Sequence, residues 1–347
     1  MHAPDGIDVR ALKPWLFEHV PGFRGLREVA KFAGGQSNPT YRIDADSGAY
    51  VLRAQPPGDL LPSAHAVDRE FRVMRALADT DVPVPDVLAL ADDPATSPLR
   101  RKFFLMRLVN GETHADPALP NRTPAERAAV FDAMNAALAS LHAIDPAAIG
   151  LSDYGRGAGY FARQLSVWQR QYAASVTSEI AEMDRLSGWL TDHLPSADDR
   201  IALVHGDWRL DNLMFERGGT RVLAVLDWEL STLGHPMADL AYQVMAWRLP
   251  HDGPFHGLGG LDRASLGLPS DAEYVARYCE RAKVERPEWF EAAVAHAAFR
   301  FAAILQGVFK RSLDGNASDP ERARTFARAV PLVARVGLAA VGLDETR

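Results

Sequence analysis

The sequence holds a single cysteine, Cys279, among 347 residues. An intrachain disulfide is excluded, so a reducing, cytoplasmic setting is the expectation. Nothing around Cys279 suggests an activated nucleophile, and it reads as a small buried apolar residue. Long hydrophobic runs are missing too. The most apolar stretch, residues 292–309, is interrupted by His296, Arg300 and Gln306. It reads as a buried helix, and no membrane insertion is expected. The N-terminal MHAPDGIDVR has no apolar core after a basic start, so no signal peptide is expected. Positive charge is in deficit, with 38 Lys+Arg against 45 Asp+Glu and a net charge of −7. A general nucleic-acid partner is disfavoured, because phosphate binding needs a basic excess. Internal repeats and low-complexity tracts are absent. Neither the dinucleotide GxGxxG nor the P-loop GxxxxGK[ST] occurs.

What is present is an ordinary globular composition, 47% hydrophobic and 24% charged, at a length that calls for more than one core. Residues 7–18 carry Leu12, Trp15 and Leu16 and read as a short amphipathic helix ended by Pro21-Gly22. REVAKFAGG, NPTYRIDAD and AYVLRAQ read as three strands with turns at Gly34-Gly35 and at residues 46–48. A Pro/Gly-rich loop follows, then a helix over 68–78, then two strand-like runs, VLALADD and RKFFLMRLV. Asn110-Gly111 reads as a hinge. Beyond it the pattern is helical, with helices expected at 125–142, 161–185, 272–281, 287–311 and 321–336. Within that helical part, IALVHGD and RVLAVLD read as one embedded hairpin around Gly218-Gly219. The expected class is α+β in two lobes. Residues 1–109 form a small lobe with a five-stranded sheet, residues 110–347 a helical lobe, and a ligand cleft lies between them.

The chemistry concentrates in HGDWRLDN, from His205 to Asn212, and in LDWE, from Leu226 to Glu229. Asp207 leaves an apolar strand at a glycine, Asn212 follows five residues later, and Asp227 ends the next apolar strand. Hard oxygen ligands without a nearby cysteine or paired histidine suit Mg²⁺, not Zn²⁺. A carboxylate able to take a hydroxyl proton beside such ligands suits phosphoryl transfer. One such aspartate alone is usually a cap or turn residue; the joint spacing of Asp207, Asn212, Asp227 and Glu229 carries the reading.

H-G-D-x-x-x-x-N followed by D-W-E resembles the catalytic and metal-binding loops of the aminoglycoside phosphotransferase/choline kinase superfamily, which has a protein-kinase-like fold. The resemblance runs over nearly the whole chain. FAGGQSNPTYRI resembles the phosphate-covering loop, YVLRAQPP the third strand and FFLMRLVNG the hinge. More narrowly, PPGDLLPSAHAVDREFRVMRAL and FRFAAILQGVFKR resemble the subgroup that includes kinase-like domains attached to some acyl-CoA dehydrogenases.

The resemblance implies ATP and Mg²⁺ as cofactors and a small-molecule hydroxyl as acceptor. It implies Asp207 as the catalytic base, with Arg209 neutralising the transferred phosphoryl group. It implies Asn212 and Asp227 as Mg²⁺ ligands and Glu229 as a second-metal or water-shell ligand. Backbone N–H groups of Gly35, Gln36, Ser37 and Asn38 would cradle phosphates. Glu70 matches the ion-pair glutamate, and the hinge backbone around Met106 and Leu108 would meet the base. Asp239 matches an aspartate that braces the catalytic loop, and His205 reads as loop support. One position departs from the pattern: Arg53 stands where kinases usually carry lysine. No Asp-Phe-Gly or Ala-Pro-Glu stretch bounds an activation loop, which argues against a protein kinase.

On the acceptor side, residues 241–330 carry 11 acidic and 12 basic side chains, so a polycationic acceptor is disfavoured. Arg300, Lys310 and Arg311, with Gln306, meet an anionic acceptor such as a CoA ester, or are solvated helix charges. Trp247, Phe301 and Phe309 read as core, and His65 and Asp68 as neighbours of nucleotide or acceptor. The favoured acceptor is a hydroxyacyl-CoA or related anion. The alternatives are an aminoglycoside and, in another class, a catalytically weak nucleotide-binding regulator.

Overall fold

The computed structural model describes residues 4, 6–32, 38–58, 65–195, 200–315 and 320–343, with the side chains of 320 and 322 left aside. The chain divides into two compact units. The first comprises Met1–Glu112 and Leu213–Ser231, the second Thr113–Asn212 and Thr232–Arg347. The expected division at residue 110 differs in one segment: Leu213–Ser231 belongs with the N-terminal unit.

The first unit is built on five antiparallel strands: β1 (Leu26–Lys31), β2 (Thr40–Ala45), β3 (Gly48–Ala54), β4 (Val87–Ala91) and β5 (Phe103–Arg107). Their order is β1-β2-β3-β5-β4. Alternation drives it: Tyr41, Ile43 and Ala45 of β2 point inward while Arg42 and Asp44 pair outside. Helix α1 (Val9–His19) is capped by Asp8, whose carboxylate accepts from the N–H groups of Arg10 and Ala11. Leu12, Leu16, Phe23, Tyr50 and Leu105 share one core with the sheet. Helix α2 (Val67–Leu77) packs on β4, β5 and the turn Trp228–Leu230. It buries Val67, Val73, Met74 and Leu77, and Glu70 with them.

The second unit is helical: α3 (Pro124–Ala143), α4 (Tyr160–Ser175), α5 (Ala181–His193), α6 (Met237–Arg248), the short α7 (Arg263–Leu266), α8 (Asp271–Ala282), α9 (Phe290–Leu313) and α10 (Pro320–Ala340). Helix α3 starts in a full capping box, Thr123 with Glu126, with Pro124 in the first turn. Among the described residues α9 alone is long and apolar enough to cross a membrane, and its apolar window is 72% buried inside the protein.

Two expectations are corrected. The helix expected over 161–185 is two helices, because Val176 is extended and the Gln306 side chain takes the carbonyl of Ser175. β-Branched Val176 and Thr177, followed by Ser178, favour such a break. The runs IALVHGD and RVLAVLD do not pair with each other. β6 (Ala202–Val204) pairs with β9 (Thr232–Gly234), while β7 (Leu213–Phe215) pairs with β8 (Val222–Val225). The turn at Gly218-Gly219 joins β7 to β8, and the β6 run pairs instead with the strand after Ser231.

Candidate active site

In the first unit the chemistry gathers on β3, α2 and the turn after β8. Arg53 sits opposite Thr40 on β2 and Phe104 on β5. Its Nε lies 2.9 Å from Glu70 Oε2, and its Nη2 donates to Asp227 Oδ1 at 2.6 Å. The same Nη2 is 3.8 Å from Glu229 Oε2. One guanidinium therefore addresses three carboxylates, which the planar fork of arginine allows. Burial works to raise the Glu70 carboxyl, and the Arg53 guanidinium pulls it back toward the charged form.

Asn38 completes this cluster. It is buried, and its Nδ2 donates to Glu70 at 3.0 Å and to Glu229 at 3.3 Å. Its Oδ1 meets His65 Nδ1 at 3.2 Å. The side chain of Asn38, not only its backbone, is thus part of the site. Gly35, Gln36 and Ser37 lie outside the described residues. Leu108 spends its N–H on the carbonyl of Ala49, and Met106 of β5 sits opposite Val51 of β3. Lys102 binds Asp68 at 2.9 Å, which uses that carboxylate inside this unit.

Asp227 adopts a left-handed backbone, φ 63°, uncommon for a residue with a Cβ. The turn is pinned behind it, because Trp228 is fully buried and donates from Nε1 to the carbonyl of Val225. Ser231 closes the turn onto the carbonyl of Trp228. The Asp227 and Glu229 carboxylates are hard oxygen donors of the kind Mg²⁺ takes. Among the described residues no group of three His, Cys, Asp or Glu side chains gathers in metal-binding geometry.

In the second unit the loop from His205 to Asn212 hangs on Asp239 of α6. Asp239 accepts from the N–H groups of His205 and Gly206, both at 2.7 Å, and from His142 Nε2 at 3.1 Å. His142 is held in turn by Tyr278 at 2.7 Å. Burial alone would raise the Asp239 carboxyl, but the His142 and Gly206 bonds outweigh it and hold it below the usual range.

Asp207 is clamped from several sides. Asn212 Nδ2 donates to its carbonyl at 2.9 Å and to its Oδ2 at 3.0 Å. Arg209 Nε is 3.0 Å from its Oδ1, and Arg209 also meets Asp211. Tyr242, one turn after Asp239 on α6, faces it and favours its charged form. Burial works to raise this carboxyl; Arg209, His205 and Tyr242 overcome it, so Asp207 stays ionised. Arg209 and Asp211 also line a pocket of about 60 Å³ with Trp247 and Phe255.

Of the residues singled out in sequence, Arg53, Glu70, Asn38, Asp227 and Glu229 come together in the first unit, and Asp207, Arg209 and Asn212 in the second. Lys310 pairs with Asp314, and Gln306 is buried against Ser175. Sequence reasoning missed Tyr242, His142 and Tyr278. Only Tyr242 left a trace, standing three residues after Asp239 on one helical face.

The profile of the phosphotransferase enzyme family (APH) matches residues 28–283. The chain belongs to this family. It is a phosphotransferase of α+β fold, and its relatives agree. The acyl-CoA dehydrogenase family member 11 of Rattus norvegicus is 41% identical over 338 residues, 96% of this chain but 43% of the relative. The chain thus spans less than half the length of the curated relatives it matches. A crystal structure from Ralstonia eutropha JMP134, provisionally assigned as an aminoglycoside phosphotransferase, is 44% identical. It covers 96% of this chain and 98% of its own, with a TM-score of 0.86. A spectinomycin phosphotransferase, solved with ADP and spectinomycin, shares the fold at 13% identity, with 96% and 99% coverage and a TM-score of 0.64.

Proposed function

We propose that this chain moves the γ-phosphoryl group of Mg-ATP to a hydroxyl of a small anionic molecule, a hydroxyacyl-CoA being the favoured class. The observation that carries the reading is Asp207, a half-buried, ionised carboxylate held by Asn212 and Arg209 and faced by Tyr242 on a loop braced by Asp239. A carboxylate so held orients an acceptor hydroxyl and takes its proton. The acceptor oxygen forms its bond to the γ-phosphorus as the bond to the β-phosphate oxygen breaks, and ADP leaves. Arg209 offsets charge on the moving group.

Mg²⁺ would be held by the carboxylates of Asp227 and Glu229, and would supply charge neutralisation of the phosphates. Arg53 keeps the role of the usual lysine, since its link to Glu70 is the ion pair such sites need. The acyl-CoA preference rests on the dehydrogenase relatives and on the balanced charge of residues 241–330. A cytoplasmic setting fits ATP as donor.

The Ralstonia relative favours an aminoglycoside as the second reading. ADP release measured over hydroxyacyl-CoAs, aminoglycosides, choline and sugars separates the two, with Asp207→Asn alongside. Stimulation by hydroxyacyl-CoAs that vanishes in the variant supports the proposal. Stimulation by aminoglycosides alone replaces it, and stimulation that survives Asp207→Asn removes the base assignment.

A further inference from the structure

Arg300 is a cation whose charge acts on Asp207 from beyond contact distance. It sits on α9, half-buried, and among the described residues no carboxylate lies within ion-pair distance of it. Its guanidinium carbon is instead 5.7 Å from the ring centre of Trp168 and 5.6 Å from that of Tyr242. Two aromatic faces partly offset the loss of water around a guanidinium, and they fix its plane. They do not satisfy its N–H groups, which remain able to bind an oxygen ligand at the edge of the stack.

The place of this cation is telling. Tyr242 faces Asp207, and the Arg300 charge itself acts on that carboxylate, so Arg300 stands one phenol ring away from the proposed base. Beside it runs a row of half-buried rings. Phe301 lies against Tyr242, ring centres 6.3 Å apart, and Phe255 against Phe301 at 4.9 Å. Phe255 also lines the pocket shared with Arg209 and Asp211. A fixed cation, a base and an apolar row next to one another describe a molecule with an oxygen-rich acid end, a hydroxyl and hydrocarbon between or beyond them.

We propose that Arg300 reads the acceptor: its guanidinium takes the acyl group, as a carboxylate or a thioester carbonyl, of a chain whose hydroxyl is offered to Asp207, while Phe301 and Phe255 bed the hydrocarbon. This deepens the functional reading given above and rests on it for the placement of the hydroxyl. A polycationic acceptor has no use for Arg300 and is repelled by it.

The test is binding measured by calorimetry without nucleotide, so it does not depend on phosphoryl transfer. The probes are hydroxy acids of four to ten carbons, their CoA thioesters, and diols of equal length lacking the acyl group. The wild type is expected to bind an acid or a thioester more tightly than the matched diol. Arg300→Ala is expected to weaken that binding about tenfold or more, the size of a charge-assisted hydrogen bond, and to leave the diol unchanged. Arg300→Lys, which keeps the charge and loses the stacked fork, is expected to fall between them and covers the case in which the alanine variant does not fold. Whether acid or thioester responds tells which source supplies the acyl group. Equal binding of acyl probe and diol, no binding of any acyl probe, or unchanged binding in both folded variants overturns the proposal. Arg300-dependent binding with no ADP release from any probe would keep the recognition and sink the kinase reading alone.

Discussion

Arg53 and Asp227 are joined at 2.6 Å, third strand to metal-loop carboxylate, while the same guanidinium holds Glu70. A lysine ammonium presents its donors from one point and matches two separated carboxylates less well than a planar fork. The unusual arginine is thus accounted for by the carboxylates on both sides of it. It also sets a condition on metal binding, because the Asp227 oxygen that meets Arg53 is one that a cation would contest.

Replacing Arg53 by methionine leaves Glu70 buried without its cation. Loss of one partner of a buried pair costs about 3–5 kcal/mol. Arg53→Met is therefore expected to lower the urea midpoint clearly and to abolish nucleotide binding, while Arg53→Lys keeps most of the stability and raises the KM for ATP. Equilibrium urea unfolding and ADP titration check both.

Asn38 ties Glu70 to Glu229 through one amide nitrogen. Asn38→Asp removes that donor and adds a like charge beside two carboxylates. The expected outcome is a higher Mg²⁺ requirement with the acceptor KM unchanged, read from rates over a Mg²⁺ series. An unchanged Mg²⁺ dependence would place Asn38 outside the metal side of the site.

Tyr242 and Arg209 hold the Asp207 carboxyl below the usual carboxylate range, about 3.9. The acidic limb of kcat against pH is therefore expected below about pH 4, with a flat profile through neutrality as far as this group is concerned. Tyr242→Phe removes one group that favours the charged form, so the limb moves up in pH. A limb that stays put in the variant would show that Tyr242 does not tune the base.

Asp239 is likewise depressed, and the sign of its linkage follows. Its contribution is fully present above the carboxyl's unfolded value and is lost as pH falls through the lower folded one. Asp239→Asn weakens the bonds from His205, Gly206 and His142 together, at a cost of about 2–4 kcal/mol. Thermal melts from pH 7 down to pH 3 check it: the gap between wild type and variant is expected to close toward the acid end.

Gly111 has no room for a side chain. A Cβ there would stand 2.4 Å from Met214 Cγ and 2.5 Å from the carbonyl of Phe215. Gly111→Ala is expected to destabilise by about 1–3 kcal/mol, measured by urea unfolding. The expected hinge is thus a tightly packed crossing with β7, with Glu112 bridged to Phe215 beside it.

Much of this protein was written along the chain. Strand β2 alternates apolar and polar residues, and Thr123, Pro124 and Glu126 mark the start of α3 by local capping chemistry. The spacing of Asp207, Asn212, Asp227 and Glu229 marks the phosphotransfer chemistry, because loop ligands of one site keep fixed offsets. Strand partners near the site were not legible. Runs as short as Ala202–Val204 and Val222–Val225 carry too little pattern to choose a neighbour, and the choice falls to packing. The break at Val176 was equally hidden, since part of its cause, Gln306, lies 131 residues away. Tertiary structure alone decided that Asn38 turns its amide to Glu70 and Glu229 and that Tyr242 reaches Asp207. It alone set Arg300 against the rings of Trp168 and Tyr242. Local propensity acts through neighbours in sequence, whereas a buried charge is answered by whatever the fold brings to it.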